Sequence, residues 1–174
     1  MKKTILVMVL NSFLVSCDGD STSPSSSTTI NAKSAVQKQE KLAACSILNE
    51  NFIKSQFSGA TDIKLKESDS SYPLCNAKFT SQGITYELNL TLGVIGSASI
   101  KTLDRSVSYF SEDLIEPLSG VGEKAYLKTG MMGQISALNG GNLVHFGLYK
   151  NDTLDLELPM AKDIMNKIFE KLEG

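Results

Sequence analysis

Ile84, Tyr86, Leu88, Leu90 and Leu92 are separated by Thr85, Glu87, Asn89 and Thr91. Alternation with a period of two sends one set of side chains to one face of a strand and the other set to the opposite face. The stretch therefore predicts a β-strand with one apolar and one wet face. Ser81-Gln82-Gly83 precedes it as a turn, and Cys75 to Thr80 reads as its extended partner. A shorter strand is expected from Asp62 to Lys66. Further along, Lys124 to Lys128, Gln134 to Asn139 and Leu143 to Tyr149 read as three short strands. Gly130 to Gly133 and Asn139-Gly140-Gly141-Asn142 lie between them as hairpin turns.

Other segments switch to a helical period. Leu42, Cys45 and Leu48 to Phe52 carry apolar residues at helical spacing, with Asn49 as an internal N-cap and Gly59 as a stop. Between Ser97 and Leu114, the residues Ile100, Leu103, Val107 and Phe110 share one helix face, and Pro117 and Gly120 then break the chain. From Met160 to Leu172, the residues Ile164, Met165, Ile168, Phe169 and Leu172 form an apolar stripe, with Pro159 suited to the first turn. Most loops are too short for parallel crossovers. The expected fold is α+β: a curved antiparallel sheet of five or six strands, helices packed on one face, and one disulfide.

The first twenty residues follow a different logic. Lys2 and Lys3 make a short positive region, and Ile5 to Leu14 is apolar apart from Asn11 and Ser12. A bilayer span needs roughly 20 apolar residues, so this stretch reads as a signal segment. It ends in Leu14-Val15-Ser16-Cys17, which resembles the lipobox of bacterial lipoproteins. That resemblance implies cleavage after residue 16 and acylation of the Cys17 thiol. It also implies a stable anchor without a spanning helix, since more than one acyl chain is attached. Asp18 follows directly, and in lipoproteins of enteric-type bacteria an Asp there favours the inner membrane. Residues 17–38 are Ser/Thr-rich and poor in large apolar residues. They are expected to form a disordered tether spanning ~25 Å on average and at most ~65 Å. Residues 39–174 are left as a single domain.

Charge narrows the partners. The formal charge is −2, and removing Lys2 and Lys3 with the signal segment makes it −4. No basic stripe suggests nucleic acid, and no polybasic segment suggests anionic lipid. Three cysteines are present. With Cys17 acylated, Cys45 and Cys75 remain, and in an oxidising compartment such a pair usually bridges. A metal site or redox pair is the alternative, but two Cys thirty residues apart with one distant His lack metal spacing, and there is no C-x-x-C.

From Ala44 to Leu172 the chain resembles small bacterial envelope lipoproteins related to extracellular sensor-like domains of membrane kinases. The likeness rests on Ala44-Cys45-Ser46-Ile47-Leu48, on Cys75 opening a strand and on Gly120-Val121-Gly122-Glu123-Lys124-Ala125-Tyr126. The Leu143-to-Tyr149 strand and the closing helix complete it. The family pattern has an aromatic just after the second Cys, where Asn76 and Ala77 stand here. The resemblance implies a disulfide-stapled α+β domain with no cofactor and no established activity.

Candidate chemistry is sparse. Gly120-x-Gly122-x-x-Ala125 fits a dinucleotide fingerprint in letters only, because Pro117 precedes it and a strand follows it. His145 is the only histidine and is expected on the wet face with Tyr149; no G-x-S-x-G elbow accompanies it. Asp152, Asp155 and Glu157 lack the Gly of a calcium loop. Glu112, Asp113 and Glu116 read as a solvated helix end or an acidic contact patch. Met131 and Met132 sit between Gly130 and Gly133 at a hairpin tip, as a candidate partner contact. The expectation is a non-enzymatic protein-binding module without cofactor or metal, held at an envelope membrane and facing the periplasm or exterior. Its concrete subtype is an inhibitor or immunity protein against a periplasmic toxin or enzyme. A carrier or sensor of a small apolar or lipid ligand is the alternative. The anchor is directly testable: Cys17→Ser should abolish the palmitate labelling shown by the wild-type chain, and equal labelling of both would refute acylation at this residue.

Overall fold

A computed structural model describes residues 42–68 and 71–174. Cys17, the signal segment and the tether lie outside these residues. Gln39–Gly174 forms one compact unit. Its elements run α1 (Ala44–Ile47), α2 (Glu50–Gln56), β1 (Thr61–Ser68), β2 (Leu74–Ser81), β3 (Ile84–Leu92) and α3 (Ile100–Val107). They continue through a 3-10 turn (Glu112–Leu114) to β4 (Ile115–Leu118), β5 (Lys124–Lys128), β6 (Gln134–Asn139), β7 (Asn142–Lys150) and α4 (Leu158–Glu173). The seven strands form one antiparallel sheet in the order β1-β2-β3-β7-β6-β5-β4.

The α+β class and the disulfide stand as expected, and two details of the sheet do not. There are seven strands, not five or six. The additional strand is β4, which contains Pro117 opposite Tyr126. Proline cannot donate to a ladder, so it is confined to edges, and β4 is the last strand of the sheet. The Ser97-to-Leu114 region correspondingly holds a shorter helix. A capping box between Ser99 and Thr102 starts α3, which ends at Val107.

The second correction is that helices cover both faces. Two-residue turns fix the registers. Gln82-Gly83 and Gly140-Gly141 all have positive φ, the geometry whose twist suits hairpins. In those registers Cys75, Ala77 and Phe79 of β2 lie beside Leu90, Leu88 and Tyr86 of β3. Leu88, Leu90 and Leu92 in turn oppose Leu148, Phe146 and Val144 of β7. This apolar face packs against α1, α2 and α4 through Ile47, Ile53, Phe57, Ile164, Met165 and Ile168. Leu138 and Leu143 are neighbours on the opposite face, and there they bury Leu103 and Val107 of α3. The centre of the sheet is thus covered twice. β7 accordingly reads as a nearly unbroken apolar run with only His145 partly exposed between its ends.

The first helical stretch divides at Asn49. Its side chain accepts from the Phe52 N–H at 2.9 Å, so it caps α2 and ends the continuity of α1. A four-residue helix cannot hold itself together, and α1 is held from outside. Cys45 is bridged to Cys75 of β2, with Cα atoms 5.0 Å apart. Glu67, opposite Cys75 on β1, accepts from the Ala44 and Cys45 N–H groups at 2.9 and 2.6 Å. Lys171 of α4 donates to the Ile47 carbonyl at 2.9 Å and lies over the Phe52 ring.

Cys45→Ser and Cys75→Ser should each destabilise the domain by ~2–4 kcal/mol. The double variant should be scarcely worse, because the same single bond is lost in all three. Urea denaturation checks this, and fully additive losses would mean that the two sulfurs act separately. Glu67→Ala, which removes both acceptor oxygens, should cost about 1 kcal/mol in the same denaturation measurement.

Candidate functional site

Two surface features stand out among the described residues, at opposite ends of β7. The first is the β5–β6 tip. Lys128 Nζ donates to the Met131 and Met132 carbonyls at 3.0 and 3.2 Å, and the buried Tyr149 hydroxyl donates to the Gly133 carbonyl at 2.8 Å. The Tyr149 ring reaches this position by lying across Gly147, where a Cβ would come within 2.3 Å of the phenol oxygen. Burial raises the Tyr149 pKa, so the hydroxyl remains a donor. The backbone of the tip is fixed, while its side chains point outward: Met131 is 79% exposed and Met132 47%. Leu154, 45% exposed, shares with Met132 and Tyr149 a shallow cleft of about 110 Å³.

The second feature is a groove of about 550 Å³ on the face of the sheet that carries α3. Thr91, Leu143 and His145 line it from the sheet, Arg105 and Tyr109 from α3 and the turn after it, and Tyr72 from the β1–β2 loop. The helix is held in place from its far side. Asp104 accepts from Lys124 at 2.8 Å and from the Tyr126 hydroxyl at 2.9 Å. These two bonds, Lys124 first, hold the Asp104 carboxyl below the usual carboxylate range. Arg105 is the only arginine of the chain. Its guanidinium forms no ion pair among the described residues. Tyr109 is 78% exposed.

His145 lies on the wet face, as the alternation predicts, but it is not free in solvent. The β6–β7 register sets it opposite Ser136, and Ser136 Oγ lies 2.8 Å from His145 Nδ1. Gln134 Nε2 reaches the same hydroxyl at 3.2 Å. Burial alone pushes the His145 pKa down to about 4, so the ring is neutral near pH 7. A Ser–His contact is the beginning of a hydrolytic arrangement, and Ser136 cannot complete it. The hydroxyl belongs to a residue only 1% exposed, engaged by two side chains and out of reach of a substrate.

The remaining candidates resolve into structure. Cys45, Cys75 and Glu67 bring three ligand-type atoms within 4.8 Å of one another. The sulfurs are oxidised to a disulfide and the carboxylate caps α1, so no thiolate is offered to a metal. Gly120 and Gly122 have positive φ and lead into β5, and a Cβ at Gly122 would meet the Leu138 carbonyl oxygen at 2.5 Å. The loop is shaped by that close approach, and the helix a dinucleotide needs is not there. Asp152 pairs with Lys78 at 2.8 Å and Glu157 with Lys150 at 2.7 Å. Glu112 and Asp113 begin the 3-10 turn and do not end a helix; Glu116 is on the β4 edge. No helix among the described residues is long and apolar enough to cross a membrane.

The sequence reading did not single out Arg105, Tyr72, Tyr109, Ser136 or Leu154. The Ser136–His145 pair could have been counted out from the turn: if Gly140-Gly141 is a two-residue loop, 139 faces 142 and 136 faces 145. Comparison with known proteins adds no relative: no family model, curated protein or solved structure matches this chain.

The His145 environment sets a pH dependence. In the unfolded chain the imidazole takes its proton near pH 6.5, and in the folded chain only near pH 4. Between these values the unfolded state binds more protons, so stability falls as the pH drops through that window. The loss should reach up to about 3 kcal/mol at its lower end. His145→Gln, which cannot titrate, should flatten the pH dependence of the urea midpoint between pH 6.5 and 4. An unchanged slope would show that His145 protonation is not its source.

Proposed function

We propose that the protein is a non-enzymatic binding module, tethered to an envelope membrane through acylated Cys17, that docks a protein partner on the Met131–Met132 tip. The observation that carries this reading is the mismatch between a fixed backbone and two outward apolar side chains. A surface hairpin gains nothing for its own fold by exposing two consecutive methionines. Unbranched thioether side chains adapt to the contours of a partner, and a preorganised backbone lowers the ordering cost of binding. Leu154 extends the same apolar surface. The chemistry of the groove points the same way, since its only histidine is neutral and its neighbouring hydroxyl is buried.

An inhibitor or immunity role fits such a module. A lipid anchor holds it at the membrane an incoming toxin or enzyme must reach, raising the effective concentration there. A carrier of an apolar or lipid ligand between sheet and helices draws less support. That layer is filled by Leu88, Leu90, Phe146, Leu148, Met165 and Ile168, each fully buried or nearly so.

Changing Met131 and Met132 together to Ser should leave the melting temperature within about 2 °C of wild type, because exposed positions seldom move stability by more than ~0.5 kcal/mol. The same change should weaken capture of the partner that wild-type protein recovers from envelope membranes. Undiminished capture by the double variant would remove the tip from the interface. Recovery of a lipid with no specific protein would favour the carrier.

A further inference from the structure

The groove beside α3 is separate from the methionine tip, and its lining has a distinct chemical character. Tyr72 and Tyr109, 57% and 78% exposed, belong to its lining. Thr91, Thr102 and Ser106 add hydroxyls, and the neutral His145 ring lies at the sheet side. Arg105 brings the one cation that lines the groove. The volume of about 550 Å³ lies within the usual ~300–1,000 Å³ of small-molecule sites.

We propose that this groove binds a sugar bearing a carboxylate. Each part of the lining selects one part of that ligand. A guanidinium is a planar fork of donors that matches a carboxylate in two parallel hydrogen bonds. A pyranose has an apolar C–H face that rests on a tyrosine ring, and tyrosine offers such area at small entropic cost. Its hydroxyls then meet the threonine and serine oxygens. Ser106 Oγ donates to the Leu103 carbonyl at 2.7 Å and so keeps its lone pairs for a sugar hydroxyl, whereas Thr102 Oγ1 is engaged in the capping box by the Ser99 N–H at 3.2 Å and Ser99 Oγ at 3.0 Å. A flat aromatic acid would satisfy Arg105 and the rings but leave these hydroxyls facing carbon, which costs binding energy. A neutral His145 adds hydrogen bonding without a second positive charge. Its Nδ1 is engaged by Ser136, which fixes the ring.

The arrangement is built from three separate parts of the fold. Asp104, bound to Lys124 and Tyr126, fixes the turn of α3 that carries Arg105. The β3–β7 register sets Thr91 opposite His145. Tyr72 comes from the loop that opens β2 at Leu74.

The test uses the full chain and three probes: N-acetylmuramic acid, the neutral N-acetylglucosamine, and benzoate. NMR signals of the tyrosine rings and of His145 are followed during titration. The acidic sugar should saturate these signals and bind about tenfold more tightly than the neutral one, the worth of roughly one charge-assisted contact. Arg105→Gln should erase that difference, and Tyr109→Ala should weaken both sugars. Both positions are exposed, and circular dichroism checks that the variants fold. Met131→Ser with Met132→Ser should leave sugar binding unchanged, which separates this site from the docking tip. Equal affinity for the two sugars, no saturable shift with either, or tighter binding of benzoate would each overturn the proposal.

Discussion

The four-residue helix α1 is where the domain is tied together. A single turn has no cooperative stability of its own, yet this one is buried through Ala44 and Ile47. Three different elements hold it: the Cys45–Cys75 bridge from β2, the Glu67 carboxylate from β1 on its first N–H groups, and the Lys171 ammonium from α4 on its last carbonyl. The charges suit the ends they meet, negative at the N-terminus and positive at the C-terminus. The order of dependence follows from position. Without the bridge, α1 would be held by the Glu67 and Lys171 contacts and its buried side chains alone.

The apolar face inherits this arrangement. α1 and α4 meet there, and the Phe57, Phe79 and Tyr86 rings cluster at centroid distances of 4.7 to 5.6 Å where α2 joins the sheet. Such edge, tilted and stacked contacts add to the area the rings bury. The opposite face is divided. Near β5 and β6 it is sealed by α3 over Leu138 and Leu143. Toward β2 it remains wet, with Asn76 donating to Glu87 and Asn89 at 2.8 and 2.6 Å. The groove lies at the boundary, where a helix ends its cover and a polar strand face begins.

Legibility in the sequence followed how local each signal is. The β3 alternation, the β5 and β6 spans and the stripe on α4 are set by neighbours a few residues away, and the residue pattern carries them. β4 was missed because Pro117 reads as a breaker unless the strand is known to be an edge. The second layer was missed because the residues that face α3 interleave with those that face α4. Leu138 and Leu143 look like continuations of the same apolar runs as Ala137 and Val144. The disulfide was legible because two cysteines leave few choices. Glu67 and Lys171 were not, since 23 and 124 residues separate them from the helix ends they cap.

The two surface features share one strand, and this decides how they can work. His145 and Leu143 of β7 line the groove, and Tyr149 of the same strand pins the methionine tip. Four residues at ~3.3 Å each separate His145, the nearer groove residue, from Tyr149 by ~13 Å. That exceeds the ~7–10 Å within which substitutions usually couple, so the two surfaces are independent in energy unless β7 itself moves. Movement there is resisted on every side. β7 is hydrogen-bonded to β3 and β6, covered by α4 on one face, and pinned by Tyr149 to Gly133 on the other. A ligand in the groove therefore has no mobile element through which to change the tip. One strand thus underlies both surfaces, so the sugar and the protein partner proposed for them would bind without competing for the same residues.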